Sequence, residues 1–251
     1  MIDFSLVFFA ITIPAVIFAG ITKAGFGSGA SFASASILAL LLEPGIALGI
    51  MLPLLMLMDV FSLRPYWKRW NSRDALRIII GAVPGVALGA FLYDLANPDV
   101  FRLLIGGISI AFVVWAIARA RGWLTVSGAP LGAGWGAFSG VMAGFTSFVS
   151  HAGGPPVAVY LLRQGMDKTT FQATTIIVFW AINLMKFIPY AALGIFTKQT
   201  FLADLMLAPF AVLGVYLGVK AHKLVPEKPF FVFTYVALTL TGAKLIFDAL
   251  S

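Results

Sequence analysis

Residues 143–162 read AGFTSFVSHAGGPPVAVYLL, and residues 24–31 read AGFGSGAS. Aligned at their first residue, the two stretches pair Gly25 with Gly144, Ser28 with Ser147 and Ser31 with Ser150. In each, an apolar run is broken by small residues. Gly153 and Gly154 cannot sustain a regular helix, and Pro155 and Pro156 suit the first turn of a new one. The apolar run that follows, residues 153–163, spans only part of a hydrocarbon core about 30 Å thick at about 1.5 Å per residue.

Outward from these stretches the correspondence continues in the same order. PGVALG (84–89) matches VLGVYLG (212–218), pairing Gly85 and Gly89 with Gly214 and Gly218, and LANPDVF (95–101) matches KLVPEKPF (223–230). The chain therefore reads as one transmembrane domain, residues 1–251, made of a first repeat over about 1–121 and a second over about 125–251. Apolar segments fall at approximately 4–22, 28–42, 45–62, 75–94, 99–118, 129–148, 153–163, 170–193, 200–219 and 229–249. Five segments per half is an odd number, so the second half enters the membrane from the opposite side. The predicted fold is an all-α polytopic membrane protein of two inverted repeats, with broken or re-entrant helices at segments 1/2 and 6/7.

Composition sets the solvent. Of 251 residues 61% are hydrophobic and 11% charged, against roughly 25% charged in soluble domains, and the mean hydropathy is +0.99. The segments show no sustained period of two, which favours helices over a transmembrane barrel. Segment 1 has Asp3 as its only flanking charge, so it reads as a retained helix rather than a cleaved signal. The net charge of +7 comes from cations at membrane joints, which excludes nucleic acid as a partner. Arg64, Lys68, Arg69, Arg73, Arg77, Arg119, Arg121, Arg163, Lys168, Lys220, Lys223 and Lys228 all fall on one face if every segment reverses the chain, and that face is predicted cytoplasmic. Both termini are then predicted outside, in a multi-pass protein of the cell inner membrane. Cysteine is absent and no His, Asp or Glu cluster has ligand spacing, so no metal, cofactor or catalytic centre is expected.

Candidate binding residues gather at the two breaks. Gly25, Gly27, Ser28, Ser31, Ser147, Ser150, Gly153 and Gly154 are expected to offer hydroxyls and free N–H groups at helix starts, a setting for an anion. Ionisable residues inside spans add Lys23 and Lys186, with Asn183 beside the latter. Each lysine has a second reading, snorkelling to the surface or reaching outward past Tyr190. Asp59 is expected to pair with Arg64. His151 is expected either to couple proton movement or to act as a neutral hydrogen-bond donor. Gly132, Gly136, Gly140 and Gly144, every fourth residue, read as helix packing, as do Gly85, Gly89, Gly214 and Gly218.

With these motifs the sequence resembles the TauE/SafE family of sulfite exporters and related anion permeases over nearly the whole chain. The resemblance rests on GFGSGAS after segment 1, on the basic joint before LRIIIGAVPGVALGAFL, and on SHAGGPP with the Phe171-Gln172-Ala173-Thr174 run, Asn183 and Lys186. It implies a secondary transporter moving a small anion, sulfite or an organosulfonate, by alternating access, with membrane lipid and the anion as partners. Proton coupling and a homodimer are further expectations. An anion channel is the alternative, and a membrane-embedded enzyme or assembly factor a more remote one. Substrate identity and direction of transport stay open.

Overall fold

The computed structural model describes residues 2–25, 31–123, 129–224 and 227–251, with the side chains of 222–231 and 233 set aside. Among the described residues every regular element is helical: α1 (Leu6–Gly25), α2 (Phe32–Leu41), α3 (Pro44–Leu63), α4 (Ser72–Leu95), α5 (Pro98–Ala120), α6 (Ala133–Ser150), α7 (Gly154–Leu162), α8 (Lys168–Ala192), α9 (Lys198–Leu224) and α10 (Glu227–Leu250), plus a 3₁₀ turn at Arg64–Tyr66. All ten expected segments are helices.

The polar joints start these helices. Asn71 accepts from Arg73 N and Asp74 N at the head of α4, Asn97 from Val100 N at α5, and Asp167 from Thr169 N and Thr170 N at α8. Each side chain satisfies N–H groups that the first turn leaves unpaired. Pro44 and Pro98 open α3 and α5, where a missing N–H costs nothing. Among the described residues six helices (α1, α3, α4, α5, α8 and α9) are long and apolar enough to cross a membrane. Their outward faces carry large apolar side chains such as Leu6, Ile80, Phe91, Ile188 and Leu205. In water such faces would drive aggregation; in lipid they are the solvated surface.

Helices α2 and α7 contain 10 and 9 residues. At about 1.5 Å per residue they extend roughly 15 Å, half the hydrocarbon core. The second segment was expected at 28–42; its helix begins only at Phe32, so both halves carry one short helix after the break.

Glycine seams bring the long helices together. On α4, a Cβ at Gly81 would stand 2.1 Å from the Ala137 carbonyl of α6, and one at Gly85 would stand 2.1 Å from that of Val141, while Gly89 faces Phe148. The matches advance together, so α4 and α6 run in the same direction. On α9, Gly214 abuts Ile17 and Gly218 abuts Ile21, so α9 runs parallel to α1. Gly106 of α5 faces Gly242 and Ile246 of α10 while Gly242 faces Ile110, which makes that pair antiparallel. The first helix of each half thus packs against the fourth of the other. The packing reading of Gly136, Gly140 and Gly144 agrees with contacts to Tyr160, Ile78 and Ala82; Gly132 has open space around it.

Candidate functional site: two buried lysines at the ends of broken helices

Because the helices are apolar on every side, periodicity alone does not reveal what the core holds; buried polar groups do. On α8, Gln172, Phe179, Asn183, Lys186 and Tyr190 follow one another at steps of seven, four, three and four residues. That spacing places them on one stripe of a helix, and all five are buried. The stripe faces the ends of α1 and α6.

At the end of α1, Lys23 is 2% exposed and Asp59 of α3 is fully buried. The Lys23 Nζ lies 2.9 Å from Asp59 Oδ1, and Asn183 Nδ2 donates to Asp59 Oδ2 at 2.8 Å. Oδ2 is thereby hydrogen-bonded, while Oδ1 has the ion-pair contact with Lys23. Phe179 lies beneath the Lys23 ammonium, 5.9 Å from it. The terminal carbonyls of α1 are capped by neutral donors, Gln172 Nε2 to Lys23 O at 2.9 Å and the Tyr66 hydroxyl to Ala24 O at 3.3 Å. Two expectations are corrected here. Lys23 does not snorkel outward, and Asp59 does not pair with Arg64. Asp59 sits on the inner face of α3, whereas Arg64 is exposed at the helix end.

At the end of α6, Lys186 is fully buried and turned inward rather than past Tyr190. Its Nζ donates to the Ser147 carbonyl at 3.0 Å and to Ser147 Oγ at 2.9 Å, and lies 2.9 Å from His151 Nδ1. The Tyr190 hydroxyl donates to Phe148 O at 2.6 Å. Cations are favoured at a helix C-terminus, where carbonyls are unpaired. An ammonium has no acceptor, so Nδ1 of His151 receives the hydrogen bond and Nε2 carries the ring proton toward Leu48 O, 3.4 Å away. His151 closes α6 with φ 57 and ψ 13, the left-handed conformation that non-glycine residues adopt uncommonly.

Asn183 and Lys186 are one turn apart, so α8 joins the two clusters. The charge of Asp59 acts on Lys186 as well as on Lys23. Among the described residues no carboxylate forms an ion pair with Lys186. The joined centre holds two lysines and one aspartate.

The structure therefore brings together Lys23, Ser147, His151, Asn183 and Lys186. Of the remaining candidates, the described ones are engaged in backbone packing or in bonds within their own helix. Ser150 donates to Thr146 O in its own helix. Gly25 is the close-approach point of α1 and α9, its Cβ position 2.6 Å from the Gly218 carbonyl. Gly153 is held between Phe179, the Ala143 carbonyl and Ser147, and Gly154 opens α7. Ser31 is buried before α2. Gly27 and Ser28 lie outside the described residues. Nor does the break expose many N–H donors at the start of α7: Pro155 and Pro156 have none, leaving Gly153 and Gly154 ahead of Val157. The groups at this site that suit an anion are ammonium and hydroxyl. Gln172, Tyr190, Tyr66 and Phe179 were not among the candidates, although Gln172, Phe179 and Tyr190 share the helical spacing of Asn183 and Lys186 on α8.

Two further features flank the centre. A cavity of about 270 Å³ is lined by Glu43, Tyr93, Phe101, Ile195 and Thr197, among others. Between it and Lys186 stands an aromatic series: Tyr93 and Phe148 at 6.5 Å, then Phe148 and Tyr190 at 4.8 Å. Toward the opposite end, the Tyr160 hydroxyl donates to Asp74 Oδ1 at 2.7 Å and Arg77 bonds both, tying α4 to α7. Among the described residues no group of His, Cys, Asp and Glu could hold a metal ion.

A family model described as Sulfite exporter TauE/SafE matches residues 12–245. No curated protein and no solved structure matches the chain.

Proposed function

The chain belongs to the TauE/SafE family, a family of membrane transporters of sulfur anions, and on that premise we propose that it is a secondary transporter. It carries sulfite or an organosulfonate across the cytoplasmic membrane by alternating access between two inverted repeats. The observation that carries this reading is Lys186, a fully buried ammonium with no ion-paired carboxylate among the described residues. An uncompensated charge in a low-dielectric interior is costly, and a bound anion relieves that cost. Ser147 Oγ and Asn183 supply neutral hydrogen bonds, and Lys23, held by Asp59, adds a second positive edge.

The flanking features fit this assignment. The 270 Å³ cavity serves as an outer vestibule, closed off from Lys186 by Tyr93, Phe148 and Tyr190. The Asp74, Tyr160 and Arg77 cluster, beside the basic joint, serves as the cytoplasmic closure. A centre closed on both sides suits a carrier better than a continuous pore.

Calorimetric titration of the purified protein with a panel of sulfonates tests the site. Lys186→Ala and Ser147→Ala should each lose at least about tenfold in affinity, the scale of one charge-assisted hydrogen bond. Unchanged affinity in both variants removes the site. In proteoliposomes saturable exchange is expected, and unitary currents would replace the carrier with a channel.

A further inference from the structure

Resting on the reading of Lys186 as the anion centre, we propose that this centre enforces charge balance: it takes a monoanion without a proton, and a dianion only together with one proton, which bonds to Nδ1 of His151. The argument begins with the hydrogen bond between Lys186 Nζ and His151 Nδ1 at 2.9 Å. Both groups are buried, and only one of the two facing nitrogens can hold the shared proton. The pair therefore carries a single positive charge.

The charged and titratable groups around His151 come from three helices besides its own. They are Lys23 from α1, Asp59 from α3, and Lys186 with Tyr190 from α8. From α3 the Leu48 carbonyl also faces Nε2, and α6 itself contributes Ser147. With Lys23 and Asp59 cancelling, the resting centre has a net charge of one positive unit. A sulfonate monoanion seated on Lys186 brings it to zero. A dianion would leave one uncompensated negative charge inside the membrane, which is costly.

The geometry provides the remedy at the right atom. An anion on Lys186 draws the ammonium away from Nδ1 and leaves that lone pair without its donor. A proton from bulk water then bonds to Nδ1, while Nε2–H keeps its place toward Leu48 O, and the imidazolium faces the second negative charge. No bond other than N–H forms, and the net charge returns to zero. Histidine is the side chain suited to this exchange near neutral pH.

The test is calorimetric titration at pH 7.5 in two buffers of different ionisation enthalpy, which counts protons taken up per ligand. Methanesulfonate serves as the monoanion, and sulfate and thiosulfate as dianions. Wild-type protein should take up about one proton per dianion and about none per methanesulfonate. His151→Asn keeps a residue that tolerates the left-handed backbone; it should reduce dianion proton uptake to about none and weaken dianions at least tenfold more than methanesulfonate. Equal proton counts for the two classes in the wild type overturn the proposal, as does proton uptake that persists in His151→Asn, or methanesulfonate binding with neither dianion bound. Lys186→Met separates this from the site reading. If methanesulfonate affinity is unaffected by Lys186→Met, the site itself is wrong, whereas Lys186-dependent binding with equal proton counts sinks only the charge balance.

Discussion

Removing one member of the Lys23 and Asp59 pair should cost far more than removing both. The two groups are 2% and 0% exposed and 2.9 Å apart. At an effective dielectric of about 20, Coulomb's law gives about 6 kcal/mol of attraction at that distance, set against a desolvation penalty of several kcal/mol per ion. Asp59→Asn keeps the shape and the Asn183 contact but strands the Lys23 ammonium over Phe179; Lys23→Met strands the carboxylate with Asn183 alone. Each single change is expected to lose about 3–5 kcal/mol, and Lys23→Met with Asp59→Asn less than either, giving a coupling energy of at least about 2 kcal/mol. Reversible denaturant unfolding in mixed micelles reads all four corners of the cycle. Additivity within about 0.5 kcal/mol would refute the reasoning, because it would mean the two charges do not sense each other in the folded protein.

The α4 and α6 seam leaves no room at Gly85, so Gly85→Ala should destabilise by about 1–3 kcal/mol, while Gly107→Ala on open α5 surface should be neutral or stabilise by up to about 1 kcal/mol; both are read from thermal unfolding. Asp167 accepts from the Thr170 hydroxyl and from the N–H groups of Thr170 and Thr169, bonds that hold its carboxyl below the ordinary value of 3.8. A depressed carboxylate contributes above its unfolded pKa and loses that contribution as pH falls through the depressed value, so Asp167→Asn should flatten the stability profile on the acid side of about pH 4 and leave its shape near neutrality unchanged. Since the chain has no cysteine, single cysteines map sidedness cleanly: in intact cells, Asp94→Cys and Ser251→Cys should react with a membrane-impermeant maleimide, while Arg69→Cys and Arg121→Cys should react only after permeabilisation. The reverse pattern would invert the topology.

Which parts of the molecule were legible in sequence follows from which forces wrote them. Lipid demands apolar runs of a set length and polar joints, and both leave unbroken traces in the chain, so all ten segments could be placed to within a few residues. The seams were legible for a similar reason: backbones that approach closely tolerate only glycine, as Gly85, Gly214 and Gly218 record. The partners of the buried charges were not. Asp59 is closer in sequence to Arg64 than to Lys23, and only the turn of α3 decides which one it meets. Gln172 and Tyr190 looked like ordinary members of a long helix because α8 is apolar enough all round that its inward stripe does not stand out by hydropathy. The start of α2 was placed too early because glycine and serine loosen a helix without saying where the next begins.

The two halves differ most at the point where they correspond most closely. Each has a long helix that ends near a short one, and at each end α8 reaches across to bond the terminal carbonyls. At α1 the donors are the neutral Gln172 and Tyr66, and the nearby ammonium of Lys23 is spent on Asp59. At α6 the donor is the ammonium of Lys186 itself, with Tyr190 beside it. A perfectly symmetric pair of ends would offer two equivalent anion sites, or none if both lysines were paired. The divergence leaves Lys186 without an ion-paired carboxylate among the described residues, beside the buried His151. α1 packs on α9 and α6 on α4 through comparable glycine seams, so the two ends differ in their polar chemistry rather than in the backbone packing that holds them.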